Sequence, residues 1–167
     1  MPIQDTQEFI IELEKQGELK RVKAEVDPDL EIAEILRREM YSNGPAILFE
    51  NVKGHTMPVL GNAFGSMKRL EIGLEMTDFT EIGQRITDMT KMDMPSGLLN
   101  KIKKLPELSK MTASFPKSES SGLVTEITST DASFDDLPII KSWPNDAGRF
   151  ITLGLIATKH PETGVRN

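Results

Sequence analysis

Few side chains in this sequence have the type and spacing that catalysis or metal binding requires. His55 and His160 are the two histidines, and neither has a second His or a paired carboxylate at metal-ligand spacing. Asp135 and Asp136 are adjacent, but consecutive side chains point apart, so capping a turn is a simpler role for them than binding a cation. Taken alone, the residues predict no complete active site.

Gly148 and Arg149 precede a predicted strand and allow two interpretations. Glycine lets the backbone approach a ligand closely, and the arginine fork can bind a phosphate or a carboxylate. The alternative is a tight turn that carries a surface arginine. The sequence leaves both interpretations open.

Composition narrows the class of protein. The chain has 167 residues, 38% of them hydrophobic, a net charge of −6 and no cysteine. This length suits one domain or two small ones, and the acidic balance argues against a nucleic-acid partner. No apolar run reaches the length of a membrane span, and the N-terminus lacks the features of a signal peptide, so a cytoplasmic location is expected. The Lys-rich segment 101–110 is interpreted either as a solvated helix face or as a docking patch for an acidic partner.

Helix and strand patterns alternate through the first 115 residues. A capping box formed by Asp5 and Glu8 predicts a first helix that ends at Gly17, and Asp27 with Pro28 predicts the start of a second. The predicted elements are a helix from Asp5, a strand at 18–26, a helix from Asp27 to Gly44, strands at 46–49 and 57–60, and a helical region at 66–90 interrupted at Gly83. This alternation predicts an α/β layer with helices packed on a sheet.

The predicted core of that layer is a set of apolar side chains. The strands are expected to contribute Ile47, Leu48, Phe49, Val59 and Leu60, and the second helix is expected to cover one face with Ile32, Ile35, Leu36 and Met40. Strands that are apolar on both faces need helices on both sides.

A change of composition to Ser, Gly and Thr at Pro116 predicts a domain boundary. Strands are expected after it, at about 122–128, 138–142 and 150–159, with turn chemistry at 160–164 and a further strand from Val165. Since that last strand has only three residues, we expect this sequence to be the front part of a longer protein.

Three blocks of the sequence together resemble a known family. They are QEFIIELEKQGELKRVKAEVDPDLEIAEI, GPAILFENVKGHTMPVLGNAFGS and DLPIIKSWPNDAGRFITLGLIATKHPETGVRN. In this order they are similar to the amino-terminal part of the UbiD family of decarboxylases, 3-octaprenyl-4-hydroxybenzoate carboxy-lyase and its relatives.

The resemblance implies a fold and an activity. Residues 1–115 would form an N-terminal α/β domain, and residues 116–167 would form the opening strands of a split β-barrel that binds prenylated FMN. The activity implied is the non-oxidative decarboxylation of aromatic or α,β-unsaturated carboxylic acids, in some members within ubiquinone- or menaquinone-type biosynthesis. The implied cofactors are prenylated FMN, Mn²⁺ or Mg²⁺, and K⁺, and the full-length protein is expected to form a homo-oligomer.

The resemblance also assigns two site residues. Asn167 matches a family asparagine that coordinates the metal bridging the cofactor phosphate, and Thr152 falls near a position that lines the flavin. An amide oxygen is a suitable ligand for a hard cation. No catalytic residue of the family falls within this chain, so we expect the 167 residues alone to be inactive. The alternative is a scaffold or binding module that retains the fold without the catalysis.

Overall fold

The computed structural model describes residues 3–76, 78, 80–90, 120–122 and 126–167. By its contacts the chain divides into two units, residues 1–75 with 133–167 and residues 76–132. Several predicted features lie outside the described residues. These are the Lys-rich helix, the boundary at 116 and the centre of the strand at 122–128.

The first helix, α1, spans Thr6–Lys15 and begins where the sequence predicts. The Asp5 carboxylate accepts a hydrogen bond from the backbone N–H of Glu8 at 2.9 Å. The predicted stripe of Phe9, Ile10 and Leu13 is buried. Gly17 follows the helix with a φ of +71°, a conformation that glycine adopts without a steric cost.

The sheet has three strands in the order β1 (Leu19–Val22), β2 (Ala46–Phe49) and β3 (Val59–Gly61). The first pair is parallel and the second is antiparallel. All four residues of β2 are buried, because β2 is the central strand and is covered on both faces. The α/β prediction is confirmed by this arrangement.

Two apolar clusters fill the spaces on either side of the sheet. The helix α2, at Glu31–Tyr41, packs on one face through Ile32, with Ile35 and Leu36 partly buried. The first cluster consists of Val26, Ile32, Ile47, Phe49 and Val52, and the second consists of Phe9, Leu13 and Ala46. Ile47 and Phe49 of β2 lie in the first cluster and Ala46 lies in the second. They alternate because successive side chains of a strand point to opposite faces of the sheet. The predicted core is confirmed, apart from Met40, which is 54% exposed.

The start of α2 differs from the prediction. Its N-cap residue is Leu30, with a φ of 70° and no side-chain cap, rather than Asp27. Asp27 instead accepts a hydrogen bond from the backbone N–H of Asp29 at 2.9 Å. The backbone at Pro28 and Leu30 also pairs with Lys141 at 3.0 and 3.2 Å, so this segment satisfies its polar groups outside a helix.

The helical region predicted at 66–90 contains two helices, α3 at Met67–Leu74 and α4 at Thr80–Thr90. The interruption occurs at Glu75, whose φ of 52° ends α3, and not at Gly83, which lies inside α4. A left-handed residue turns the chain out of the helix, whereas a single glycine lowers helix stability without ending it.

The strands predicted at 138–142 and 150–159 are not formed as ladders in the described residues. Two isolated bridges occur there, Lys141 with Asp29 and Lys159 with Arg166. A strand needs a neighbour along its length to satisfy its backbone groups, and among the described residues each segment forms a single isolated bridge. The described residues therefore contain no closed barrel.

A short 3₁₀ helix at Phe134–Asp136 accounts for the paired aspartates. The Asp136 carboxylate accepts a hydrogen bond from the backbone N–H of Ser133 at 2.9 Å, and the Ser133 hydroxyl accepts one from Asp135 at 3.1 Å. The predicted turn-capping role is confirmed for the Asp136 side chain, whereas Asp135 takes part through its backbone N–H. Among the helices of the described residues, none has the combination of length and apolarity that crossing a membrane requires.

Candidate functional site

The side chain of Asn167 is held by the segment ten residues before it. Its Nδ2 donates to the carbonyl oxygen of Ile156 at 2.9 Å, and its Oδ1 accepts from the backbone N–H of Thr158 at 2.8 Å. The backbone N–H of Asn167 also donates to the carbonyl oxygen of Thr158 at 3.2 Å. The two side-chain bonds fix which end of the amide is oxygen and where that oxygen points.

A fixed amide oxygen suits a metal ligand. A carbonyl oxygen has two lone pairs, and the bond from Thr158 uses one of them. The other lone pair of Asn167 Oδ1 is available to a hard cation, which prefers oxygen ligands. The residue is exposed, so a ligand can reach it.

Thr152 lies on the wall of an apolar cavity of about 360 Å³. The walls come from β3 and the loop after it, from α2 and from the segments 137–140 and 150–153; they include Leu36, Met57, Val59, Leu60, Ile140 and Phe150. Thr152 and Asn62 are the polar side chains among the residues that line it. A mostly apolar cleft with a few polar groups is the usual form of a cofactor site.

The structure does not bring the two predicted site residues to one cavity. Asn167 is absent from the residues that line the Thr152 cavity. In the described part of the chain, no group of three or more His, Cys, Asp or Glu side chains is placed to hold a metal ion. The Asn167 oxygen, predicted to be a metal ligand, and the apolar cavity beside Thr152 are therefore separate features of the described residues.

Arg149 lines a polar pocket with Asp27, Lys53, His55 and Asp135. Its Nη1 donates to the carbonyl oxygen of Ile139 at 3.3 Å. The ammonium group of Lys53, 2.7 Å from the Asp27 carboxylate, lowers the pKa of Asp27, and the bond from the Asp29 backbone lowers it further. Opposite charges in this pocket compensate one another, so the pocket itself gives no preference for an anion.

Sequence reasoning missed the role of His160. Its Nδ1 accepts hydrogen bonds from the backbone N–H groups of Glu162 and Thr163, both at 3.2 Å. Asp, Asn and Ser commonly cap turns in this way. The signal that was available is the position of His160 directly before Pro161, at the point where a turn needs an acceptor.

A buried ion pair was also missed. Arg69 on α3 is 1% exposed, and its Nη1 lies 3.0 Å from the Glu18 carboxylate. The ammonium group of Lys68 and then the guanidinium of Arg69 lower the pKa of Glu18, against the opposing effect of burial. Because Glu18 precedes β1 and Arg69 is far along the chain, only the tertiary fold brings them together.

Two family profiles match the chain. The 3-octaprenyl-4-hydroxybenzoate carboxy-lyase N-terminal domain matches residues 10–86, and the Rift-related domain of the same carboxy-lyase matches residues 116–167. Together the two matches take in well over half of the sequence. The chain belongs to the UbiD family.

Two relatives are similar to this sequence along its whole length. An uncharacterized protein of Aquifex aeolicus is 45% identical over 166 residues, which is 98% of this chain and 34% of the relative. An uncharacterized protein of Archaeoglobus fulgidus is 41% identical over 167 residues, which is 100% of this chain and 34% of the relative. The chain spans about a third of the length of these relatives.

Solved structures of a UbiD-class enzyme have the same fold. An evolved dimeric form of HmfF from Pelotomaculum thermopropionicum, in complex with prFMN, matches with a TM-score of 0.64 and 26% identity, over 96% of this chain and 33% of that chain. HmfF in complex with FMN matches with a TM-score of 0.60 and 25% identity, over 96% of this chain and 32% of that chain. The predicted membership of the UbiD family is confirmed.

Proposed function

We propose that this chain is the N-terminal part of a prenylated-FMN-dependent, non-oxidative decarboxylase. The substrates would be aromatic or α,β-unsaturated carboxylic acids, and ubiquinone- or menaquinone-type biosynthesis is one process that uses such a carboxy-lyase. The observation that carries this proposal is the likeness of 96% of the chain to a UbiD-class enzyme in complex with prFMN. The cytoplasmic location and the division into domains 1–115 and 116–167 remain predictions from the sequence.

The chain's own residues would have two tasks. The apolar cavity beside Thr152 would contact the flavin ring system and exclude water from it. The Asn167 oxygen, held by Thr158, would be one ligand of the Mn²⁺ or Mg²⁺ that helps to bind the cofactor. When bound, the cofactor would supply the electron sink for the electron pair that stays on the substrate carbon when CO₂ leaves.

The metal site needs ligands beyond those in the described residues, which provide no cluster of His, Cys, Asp or Glu for a metal. An ion of the Mg²⁺ or Mn²⁺ type held by one protein oxygen keeps most of its water. The 167 residues alone should therefore bind the flavin weakly and release no CO₂. The K⁺ site and a homo-oligomeric assembly belong to the same proposal for the full-length protein.

Flavin binding by two forms of the protein tests the proposal. The chain of 167 residues and the protein translated from the whole gene are each titrated with prenylated FMN in the presence of Mn²⁺, and flavin fluorescence is followed. We expect binding and CO₂ release from the long form only. Tight binding by the short form would indicate a self-contained flavin module, and a gene that stops after Asn167 would favour the scaffold alternative.

Variants of the long form test the site residue. Asn167→Ala should weaken Mn²⁺-dependent flavin binding by at least about tenfold, since loss of a ligand should cost no less than loss of an outer partner. Asn145→Ala is the matched control, because Asn145 is also an exposed asparagine in the same part of the chain. Equal binding by both variants would remove Asn167 from the metal site.

A further inference from the structure

A small hairpin, residues 158–167, carries both His160 and Asn167. An antiparallel bridge between Lys159 and Arg166 joins its arms. At its turn the backbone N–H of His160 donates to the carbonyl oxygen of Val165 at 2.9 Å. The backbone N–H of Gly164 donates to the carbonyl oxygen of His160, also at 2.9 Å. We call this segment the His160 hairpin.

The His160 hairpin is held together by hydrogen bonds rather than by apolar packing. All of its residues are exposed, including Val165 at 67%. A two-stranded hairpin without a buried apolar face is marginally stable in water. A change in a single hydrogen-bond acceptor at the turn can therefore shift the equilibrium between its closed and open forms.

The acceptor at the turn is the Nδ1 atom of His160. It receives two N–H donors, from Glu162 and Thr163. An imidazole nitrogen accepts a hydrogen bond only when it carries no proton, so the closed turn requires the neutral ring with its proton on Nε2. Imidazole side chains exchange this proton within the physiological pH range.

Protonation would place a third N–H against the two backbone donors. Three donors would then converge at one point with no acceptor, which is repulsive. The other charged groups of the His160 hairpin are Lys159, Glu162 and Arg166. In the described residues none of these forms an ion pair, so no carboxylate is placed to compensate the imidazolium.

The opposite end of the hairpin holds Asn167. The backbone N–H of Asn167 donates to the carbonyl oxygen of Thr158, and the backbone N–H of Thr158 donates to Oδ1 of Asn167. Both bonds join the two arms of the hairpin. If the turn opens, the arms separate and the amide of Asn167 loses its fixed orientation.

We propose that His160 is a pH-sensitive positioning residue for Asn167. With a neutral imidazole, the turn is closed and the Asn167 oxygen is presented in one orientation. With a protonated imidazole, the turn opens and that orientation is lost. The consequence for metal binding rests on the function proposed above, whereas the opening of the hairpin does not.

Hydrogen exchange of the chain of 167 residues tests the hairpin directly. Exchange of the peptide 156–167 is measured by mass spectrometry between about pH 5 and pH 8, after correction for the intrinsic effect of pH. We expect protection of this peptide to fall about tenfold as the imidazole takes up its proton, the size of effect that the loss of one or two hydrogen bonds has on an opening equilibrium. The midpoint should coincide with the titration of the His160 ring, followed by NMR on ¹³C-labelled histidine.

Three variants identify the cause. His160→Asn keeps an acceptor that does not titrate, so its hairpin should stay protected across the whole range. His160→Ala has no acceptor, so it should resemble the low-pH form of the native protein at every pH. His55→Asn is the control, since His55 lies in another pocket, and it should keep the native pH dependence. A native pH dependence that survives in His160→Asn would overturn the proposal.

Metal binding separates this inference from the proposed function. Mn²⁺ affinity of the native protein should fall about tenfold towards low pH relative to that of His160→Asn. If Asn167→Ala binds Mn²⁺ as tightly as the native protein, the metal role of Asn167 is wrong, and hydrogen exchange alone decides the role of His160. If Asn167→Ala loses affinity while the native protein and His160→Asn have the same pH profile, the role of His160 is wrong and the proposed function stands.

Discussion

The guanidinium of Arg69 is buried against the carboxylate of Glu18, with Nη1 and Oε2 3.0 Å apart. Within the described residues, the Nε and Nη2 atoms of Arg69 have no hydrogen-bond partner. Glu18 is therefore the main compensation for a charge that has been removed from water. Breaking a buried pair of this kind is costly because it leaves the remaining charge uncompensated.

Removal of the Glu18 charge should destabilise the fold strongly. We expect Glu18→Gln to lower the free energy of unfolding by about 3–5 kcal/mol in a urea titration. The control is Glu34→Gln, since Glu34 forms ion pairs with Arg37 and Arg38 on the exposed side of α2. Exposed pairs are worth about 1 kcal/mol or less. Equal effects of the two substitutions would show that the Arg69 charge is compensated in another way.

Acid should destabilise the protein partly through Glu18. The ammonium of Lys68 and the guanidinium of Arg69 hold the pKa of this carboxyl below its ordinary value. A lowered native pKa gives stability that is present above the unfolded-state pKa, about 4.3, and is lost as pH falls through the native pKa. Stability measured against pH should therefore decline less steeply below about pH 4 in Glu18→Gln than in the native protein. Parallel curves would contradict the assignment.

The central strand should be sensitive to loss of volume. Phe49 on β2 is completely buried, so Phe49→Ala should cost about 3–5 kcal/mol by leaving a cavity. Phe134→Ala is the same substitution at a side chain that is 75% exposed, and its effect should stay within about 0.5 kcal/mol. Chemical denaturation of both variants measures the difference. A cost below about 1 kcal/mol for Phe49→Ala would remove Phe49 from the core.

Replacement of Gly61 and of Gly83 by alanine should have opposite effects on stability. A Cβ at Gly61 on β3 would clash with the branched end of Leu36, which is packed in the core. Gly61→Ala should therefore destabilise the fold by about 1–3 kcal/mol. A Cβ at Gly83 in α4 would meet nothing, so Gly83→Ala should add about 0.5–1 kcal/mol of helix stability. Circular dichroism during urea titration tests both, and a neutral Gly61→Ala would show that Leu36 can move aside.

Backbone protection should differ between the sheet and the tail. Residues 46–49 form β2, which is hydrogen-bonded to a neighbouring strand on each side. Residues 150–158 are exposed and pair with no strand among the described residues. Amides of 150–158 should therefore exchange much faster in the chain of 167 residues, since their opening requires little unfolding. Comparable protection of the two segments would mean that the tail has found a partner, such as a second chain.

Local patterns in the sequence were enough to place most of the front elements. The cap at Asp5, the stripe of α1 and the apolar run at Ala46–Phe49 depend on residues close together in the chain, and each was predicted correctly. The family was also recognisable from the order of three sequence blocks. Capping and periodicity are local properties, so they can be recognised before the fold is known.

The tertiary structure decided where those local signals were overruled. Asp27 has the chemistry of an N-cap, but pairing of the neighbouring backbone with Lys141 delays α2 to Glu31. The segment 150–159 has the composition of a strand, yet it forms no ladder with other described residues, because a strand depends on a partner that composition does not specify.

Contacts between distant residues were beyond the reach of the sequence. The pairing of Glu18 with Arg69 joins residues 51 positions apart, and the cavity that Thr152 lines together with β3 and α2 joins parts of the chain still further apart. In the sequence, Arg69 is one charged residue in a helix, and its burial follows only from the packing of α3 on α1 over the sheet. The residue types and their spacing determined the family and the local elements, whereas burial and long-range pairing depended on how those elements pack.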